Sequence, residues 1–346
     1  MEKLGVPAKI TRMIRACVQN SKCMVKFNGQ LSKAFMINTG LKQGDALSPM
    51  FFNIALEEVV RNALNTGIGV KLQESKTIKL IAYADDIVLH SESESDLQSM
   101  AESLMDESKK MGLTINEEKT KYMVLSRKNN RHNNLIVRNM EFELVGNFKY
   151  LGVELSVSGN NHKEIQNRIN SANKCFFGLK TILKSKLVSI KSKLTLYKVI
   201  IRPIALYACE TWTTTKTDEQ NLARFERKVL QQIFGPRRNQ NTGDYEQRKN
   251  EEVINILEDS DIIATMKCKR ISWAGHIWRG REQTIGQVIY WKPKSKRQLG
   301  RPRQRWVDRV HKDLGMLGIL NGEEQATDRD RWREVVVAAK DLKGLF

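Results

Sequence analysis

Two aspartates, Asp85 and Asp86, stand side by side between short apolar runs at 78–83 and 87–89. Strand-forming residues on both sides put the pair at the tip of a hairpin. Neighbouring like charges repel and gain little from a protein interior, so the pair needs water, a cation or a chemical task. Hard carboxylate oxygens suit Mg²⁺, and a bound cation removes the penalty of crowding two charges. A solvated turn is the competing account of any isolated Asp-Asp dipeptide.

The surrounding elements decide how such a pair is positioned. A helix is expected from about Pro7, with Ile10, Met13, Ile14, Cys17 and Val18 on one face. Runs at 22–27 and 33–38 flank Asn28-Gly29, a dipeptide suited to a tight hairpin turn. The loop from Thr39 to Leu47 holds Gln43, Gly44 and Asp45, and Ser48-Pro49 reads as an N-cap and first-turn proline opening a buried helix. After the Asp pair, a helix is expected from Asp96, carrying Leu97, Met100, Leu104 and Met111 and ending at Gly112. Strands are expected at 122–125 and 148–155, and beyond Ser158 the pattern turns mostly helical.

Four ordered stretches now stand together: Gln43-Gly44 before Ser48-Pro49, Tyr83-Ala84-Asp85-Asp86, Gly112 to Asn116 with Lys119, and Phe148-Lys149-Tyr150-Leu151-Gly152. In that order and spacing, up to about Leu155, the sequence resembles the reverse transcriptases of non-LTR (LINE-type) retrotransposons. The resemblance implies that Asp85 and Asp86 bind Mg²⁺ (Mn²⁺ as the alternative) and that Tyr83 packs under the primer end. Gln43 and Gly44 then lie against template and incoming nucleotide. A glycine lets backbone approach a nucleotide closely, and a Gln amide both donates and accepts. Asn116 and Lys119 match a motif near the leaving pyrophosphate, and Tyr150, Leu151 and Gly152 match the hairpin called the primer grip. A left-handed turn, a surface lysine and an ordinary sheet edge are the respective competing accounts.

The implied reaction is two-metal nucleotidyl transfer, with an RNA template, a DNA primer and dNTPs as partners. In the family a further aspartate on a strand upstream of the opening helix bridges the two ions, and Met1 falls just after its place. This chain is therefore expected to be a truncated, impaired polymerase; the alternative is a non-catalytic nucleic-acid-binding remnant of such an element.

The formal net charge is +19. Residues 262–310 hold 13 Lys and Arg against 2 acidic residues, and residues 160–204 hold 10 against 1, so the positive charge belongs to the C-terminal half. That points to a polyanionic partner. In the family a helical thumb grips the template-primer, so Lys163, Arg168, Lys174, Lys180, Lys184, Lys186, Lys191 and Lys193 are expected to track phosphates, with a solvated helix face as the plain alternative. Blocks at 206–212, 225–228, 271–276 and 300–306 also resemble these elements, without a known chemistry. Arg301, Arg303 and Arg305 are candidate backbone contacts, and Trp273, Trp278, Trp291 and Trp306 lie among basic residues able to stack bases, although core is the expected place for Trp273 and Trp332. Five scattered cysteines read as reduced thiols inside a cell, and Cys268 with His276 reads as a buried thiol and a core histidine. No stretch reads as a membrane span; the most apolar, 199–209, is interrupted by Arg202 and Pro203. Linkers are expected at 235–243 and 292–302.

The expected architecture is α+β: a partial polymerase palm with an antiparallel sheet over residues 1–157, a helical thumb over 158–238 and a basic, mainly helical region over 239–346.

Overall fold

The computed structural model describes residues 5–19, 21–37, 40–65, 69–73, 76–126, 133–239, 243–257, 259–291 and 304–342. Helices and small sheets mix along the chain, and two compact units form. Met1–Tyr122 with His132–Leu144 make the first; Met123–Arg131 with Val145–Phe346 make the second.

The first unit opens with α1 (Ala8–Val18), which begins just past Pro7, near where it was expected. Strands β1 (Ser21–Cys23), β2 (Lys26–Phe27), β3 (Gln30–Leu31) and β4 (Phe35–Ile37) follow. Asn28 and Gly29 take positive φ of 49° and 82°, the geometry that a two-residue hairpin turn requires. The hairpin is interrupted midway, where Ser32 Oγ accepts the Val25 N–H at 2.9 Å. Helix α2 (Ser48–Ala63) begins one residue earlier than an N-cap at Ser48 would allow, because the Ser48 hydroxyl donates to the Lys42 carbonyl at 2.7 Å instead of capping.

Hairpin β5 (Val70–Gln73)–β6 (Lys76–Ile78) leads to hairpin β7 (Leu80–Tyr83)–β8 (Asp86–Leu89). Helix α3 (Glu94–Lys110) starts two residues before Asp96, since Ser93 is the cap and accepts the Asp96 N–H at 3.1 Å. Met100 and Leu104 are buried as expected, whereas Met111, past the helix end, is 45% exposed. Strands β9 (Lys121–Tyr122), β10 (Leu135–Val137) and β11 (Met140–Leu144) form a three-stranded sheet in which β9 runs parallel to β11. The expected antiparallel sheet is thus divided: among the described residues, the other strands pair only as two-stranded ladders. The strands are short, and the expected strand at 122–125 stops at Tyr122.

The second unit starts with hairpin β12 (Asn147–Tyr150)–β13 (Val153–Ser156) and continues as helices: α4 (His162–Gly178), α5 (Lys180–Lys184), α6 (Ile190–Leu196), a π-helical turn at Tyr197–Ile201, α7 (Arg202–Ala205) and α8 (Lys216–Phe234). Residues expected as linker instead form strand β14 (Arg237–Arg238), paired with β15 (Tyr245–Glu246). Then come α9 (Asn250–Leu257), α10 (Ile262–Arg279), α11 (Thr284–Tyr290), α12 (Trp306–Gly315), α13 (Gly322–Gln325) and α14 (Arg329–Ala338). The segment 292–302, expected as the second linker, lies outside the described residues.

Two apolar cores hold this unit. One gathers α4, α8 and the start of α10 around Ile165, Phe176, Tyr197, Trp212, Leu230 and Ile263. The other packs Ile277, Trp278, Trp306, Val310 and Trp332. Helix α10 belongs to both, so its fully buried Arg270 needs compensation: Asp313 accepts from it at 2.6 Å, and Arg270 also donates to Thr214 Oγ1 at 3.2 Å. The five cysteines are free. Among the described residues no helix is long and apolar enough to cross a membrane.

Candidate functional site

The Asp pair sits where the sequence puts it. Strands β7 and β8 pair from Leu80↔Leu89 to Tyr83↔Asp86, which leaves Ala84-Asp85 as the two-residue connection. Ala84 takes φ of 52°, a left-handed conformation that disfavours any residue with a Cβ. Asp85 and Asp86 are both exposed, and among the described residues neither enters an ion pair. Tyr83, 67% exposed, flanks them.

Beneath the tip, Ile87 and Leu89 pack against Val59 and Ala63 of α2 and Leu104 of α3. Ile115 joins the same cluster, so the turn that follows it stands beside the base of β8. In that turn Asn116 Oδ1 accepts the Lys119 N–H at 3.0 Å, and the Asn116 carbonyl accepts from both the N–H and the hydroxyl of Thr120. The Asn116 carboxamide oxygen is therefore engaged in shaping the turn, and the Lys119 side chain is exposed. Burial pushes the His90 imidazole below its usual range just past β8.

Gln43 and Gly44 belong to the loop before α2, at the opposite end of that helix from Ala63. Gly44 has φ of 90° and open space where a Cβ would be. Asp45 Oδ1 accepts the Leu47 N–H at 3.0 Å, and Lys42 Nζ donates to the Cys17 carbonyl at 3.4 Å, which ties the loop to α1. The structure thus joins the Asp hairpin and the Lys119 turn through one small core and leaves Gln43 at a separate, exposed loop.

Tyr150, Leu151 and Gly152 belong to the second unit. Leu151 and Gly152 form a tight turn with φ of 47° and 82°. Two residues absent from the motif hold this turn: Tyr207 donates to the Leu151 carbonyl at 3.1 Å, and Arg168 donates to the Gly152 carbonyl. The Arg168 guanidinium also lies 4.4 Å from the Tyr207 ring centre and pairs with Glu164. Arg168, expected among the phosphate-tracking cations, is instead consumed in docking the hairpin on α4. The sequence signal was the four-residue step from Glu164 to Arg168.

Other basic residues divide in the same way. Lys193 is buried and Lys163 pairs with Glu154 at 3.0 Å, so neither is the open cation expected. Lys174, Lys184, Lys186 and Lys191 are exposed; Lys180 is half-buried with its ammonium 5.5 Å from the Phe177 ring centre. Arg305 is exposed before α12, where Asp308 accepts its N–H at 3.0 Å, while Arg301 and Arg303 lie outside the described residues. Trp278 and Trp306 are core residues and therefore do not stack bases, and Trp273 packs edge-on against Trp306 with ring centres 4.9 Å apart. Trp332 is buried as expected. His276, expected in the core, is exposed, and Cys268 is half-buried with its thiol donating to the Val336 carbonyl.

Residues 1–155 match the family model described as reverse transcriptase (RNA-dependent DNA polymerase). A transposon-derived protein of Caenorhabditis elegans is 26% identical over 268 residues, 74% of this chain and 94% of that one. An alignment of that length extends beyond residue 155 into the helical unit. The R2DM retrotransposable-element polyprotein of Drosophila melanogaster is 30% identical over 115 residues, 33% of this chain and 11% of the polyprotein. An R2 polyprotein of Popillia japonica is 27% identical over 119 residues, 34% of this chain and 20% of that one. The chain thus spans nearly all of the nematode relative but at most a fifth of these two polyproteins.

Proposed function

We propose that the chain, which over residues 1–155 matches the reverse transcriptase family model and is similar to R2 retrotransposable-element polyproteins, is a reverse transcriptase of the non-LTR type and carries one side of an RNA-directed DNA polymerase site. The observation that carries this reading is the exposed Asp85-Asp86 pair at the tip of β7–β8. Mg²⁺ is ordinarily held by one or two carboxylates together with substrate phosphates and water, and two adjacent, solvent-facing carboxylates fit that donor set. Asp85 and Asp86 would hold it, and the ion, when bound, supplies charge neutralisation for the attacking 3′-oxygen and the leaving pyrophosphate.

The chain's own groups do the rest. Tyr83 offers a flat exposed ring beside the carboxylates for the primer end. The Lys119 ammonium, on a turn fixed by Asn116, neutralises charge on the leaving pyrophosphate. Gly44 presents open backbone and Gln43 an amide to template and incoming nucleotide.

Two carboxylates are fewer oxygen ligands than a pair of ions requires, so the 346-residue chain alone should extend a primer weakly or not at all. A primer-extension assay with an RNA template, DNA primer, dNTPs and Mg²⁺ or Mn²⁺ tests both parts. Robust extension that vanishes in Asp85→Ala would overturn the impairment and keep the site; extension that survives Asp85→Ala would overturn the site. A second reading, a non-catalytic nucleic-acid-binding protein of such an element, draws on the exposed Lys174, Lys184, Lys186 and Lys191 of the second unit. It predicts salt-sensitive binding without extension, even when the first unit is supplied with further family sequence upstream.

A further inference from the structure

The ladder β1–β4 rests on no core. Its pairs run from Ser21↔Ile37 to Cys23↔Phe35, and none of residues 21–37 is buried. Neighbouring strand residues point to opposite faces, and Phe35 and Met36 are 46% and 45% exposed, so β4 lies open on both faces. Its outer edge is open as well: among the described residues β4 pairs with β1 and with no other strand.

Unpaired N–H and C=O groups along an edge are a template for another strand, and edges are ordinarily guarded by lysine, proline, a bulge or a covering element. Strand β1 carries Lys22, and Lys26 follows it. Residues 34–38 on the other edge read Ala-Phe-Met-Ile-Asn, with neither a charge nor a proline, and the register of β4 on β1 runs without a bulge. The edge that faces outward is thus the unguarded one.

The same edge is complementary to itself. Two β4 strands set antiparallel about a two-fold axis at Met36 bring Phe35 opposite Ile37 of the second copy, twice, an aromatic against a β-branched side chain, and Met36 opposite Met36. No charge falls on the seam. Lys33 lies three residues from Met36, so its two copies stand about 20 Å apart along the strands. Lys22 pairs with Met36 one strand further out, which puts its two copies about 14 Å apart across the sheet. Both separations exceed the Debye length of about 8 Å at physiological salt. A charged strand of another protein would bring to this edge a charge that nothing in residues 34–38 answers. We infer that β4 is the pairing edge of a homodimer, in which a second copy adds its own β4 to make a four-stranded sheet in the order β1-β4-β4-β1. The inference does not depend on the Asp hairpin or on the polymerase reading.

Sedimentation equilibrium of the full chain, freed of nucleic acid, over a range of concentration tests it, together with amide hydrogen exchange at residues 34–37. The wild type should dimerise, and exchange at 34–37 should slow as the dimer fills. Met36→Lys sets two ammoniums directly opposite each other and should raise the dimer dissociation constant about tenfold or more, through a lost cross-strand pair and a like-charge one. Mixing Met36→Lys with Met36→Glu should restore the pairing that Met36→Lys loses. Met13→Lys, at an exposed apolar position of α1, should leave the dissociation constant unchanged, which separates strand pairing from general apolar association. The exchange measurement needs no variant and so stands should Met36→Lys fail to fold. A wild type that is monomeric at every concentration, which would leave the edge to a strand of another protein, overturns the inference. So do a dimer that Met36→Lys does not weaken or that Met13→Lys weakens equally, a mixture no tighter than Met36→Lys alone, and exchange at 34–37 that ignores concentration.

Discussion

Glu226 lies on α8 with its carboxylate sealed in the core of the second unit. The Tyr197 hydroxyl donates to Oε1 at 2.5 Å and the Ile262 N–H donates to Oε2 at 2.8 Å. Burial pushes its pKa from 4.5 up to about 7; the two hydrogen bonds and Arg202 oppose the rise, and Asp261 adds to it. Between those values the folded chain keeps a proton that the unfolded chain releases. Stability therefore falls as pH rises from about 4.5 to about 7, then levels off. At about 1.4 kcal/mol per pH unit, the loss is about 3 kcal/mol. In Glu226→Gln the carboxamide oxygen can still accept from Ile262 and the amide N–H₂ can donate to the Tyr197 oxygen, so the shape and both hydrogen bonds survive without a titrating group. The variant should match the wild type near pH 5 and exceed it by about 3 kcal/mol at pH 8, or about 6–12 °C in Tm for a unit of this size. All six tryptophans lie between 212 and 332, so their emission during thermal or urea unfolding reports on the second unit alone. Wild-type and Glu226→Gln curves that stay parallel from pH 5 to pH 8 would refute the reasoning.

Asp313→Ala should strip the buried Arg270 of its partner and cost about 3–5 kcal/mol in urea unfolding, whereas Arg270→Met with Asp313→Leu should recover most of it, because an apolar pair needs no compensating charge. Gly275→Ala should destabilise the C-terminal core by about 1–3 kcal/mol or more, seen as a lower Tm, since its Cβ would lie 2.0 Å from Trp332 Nε1 and the indole is fixed by its hydrogen bond to the Ile271 carbonyl.

Local chemistry made much of the first unit legible. Asn28-Gly29 gave the hairpin, Pro7 the helix start and the apolar flanks of Asp85-Asp86 their turn, because each signal acts within a few residues. Ser48 misled for the opposite reason: the hydroxyl has two partners in reach, and the Lys42 carbonyl won over the helix N-terminus. Arg168 and Lys193 read as open cations because composition reports charge and not its partner; only the fold brings Arg168 to the Gly152 carbonyl and the Tyr207 ring, residues 16 and 39 positions away. The tryptophan blocks failed similarly. Trp306 Nε1 donates to the Glu210 carbonyl across 96 residues, a pairing that no window of sequence contains.

Long-range pairings also join one of the blocks without evident chemistry to another and tie together residues just outside them. Glu210, Thr214, Arg270, Trp306 and Asp313 belong to three separate stretches, yet Trp306 bonds to the Glu210 carbonyl, and Arg270 to both Thr214 and Asp313. Each buried polar group in that set would carry a desolvation penalty if its partner were lost. The set therefore constrains residue type at Thr214, Arg270, Trp306 and Asp313 through burial, whereas Glu210 contributes only its backbone carbonyl. Hairpin β7–β8 is constrained differently: Ile87 and Leu89 anchor one strand, Ile81 and Tyr83 of the other are exposed, and a two-stranded hairpin is marginal by itself. Catalytic groups need placement to within about 0.5 Å. On the proposed polymerase reading, an anchor of two side chains under a left-handed Ala84 is too slight for that, so we expect the Asp tip to need template, primer or further protein over the β7 side before it can hold an ion.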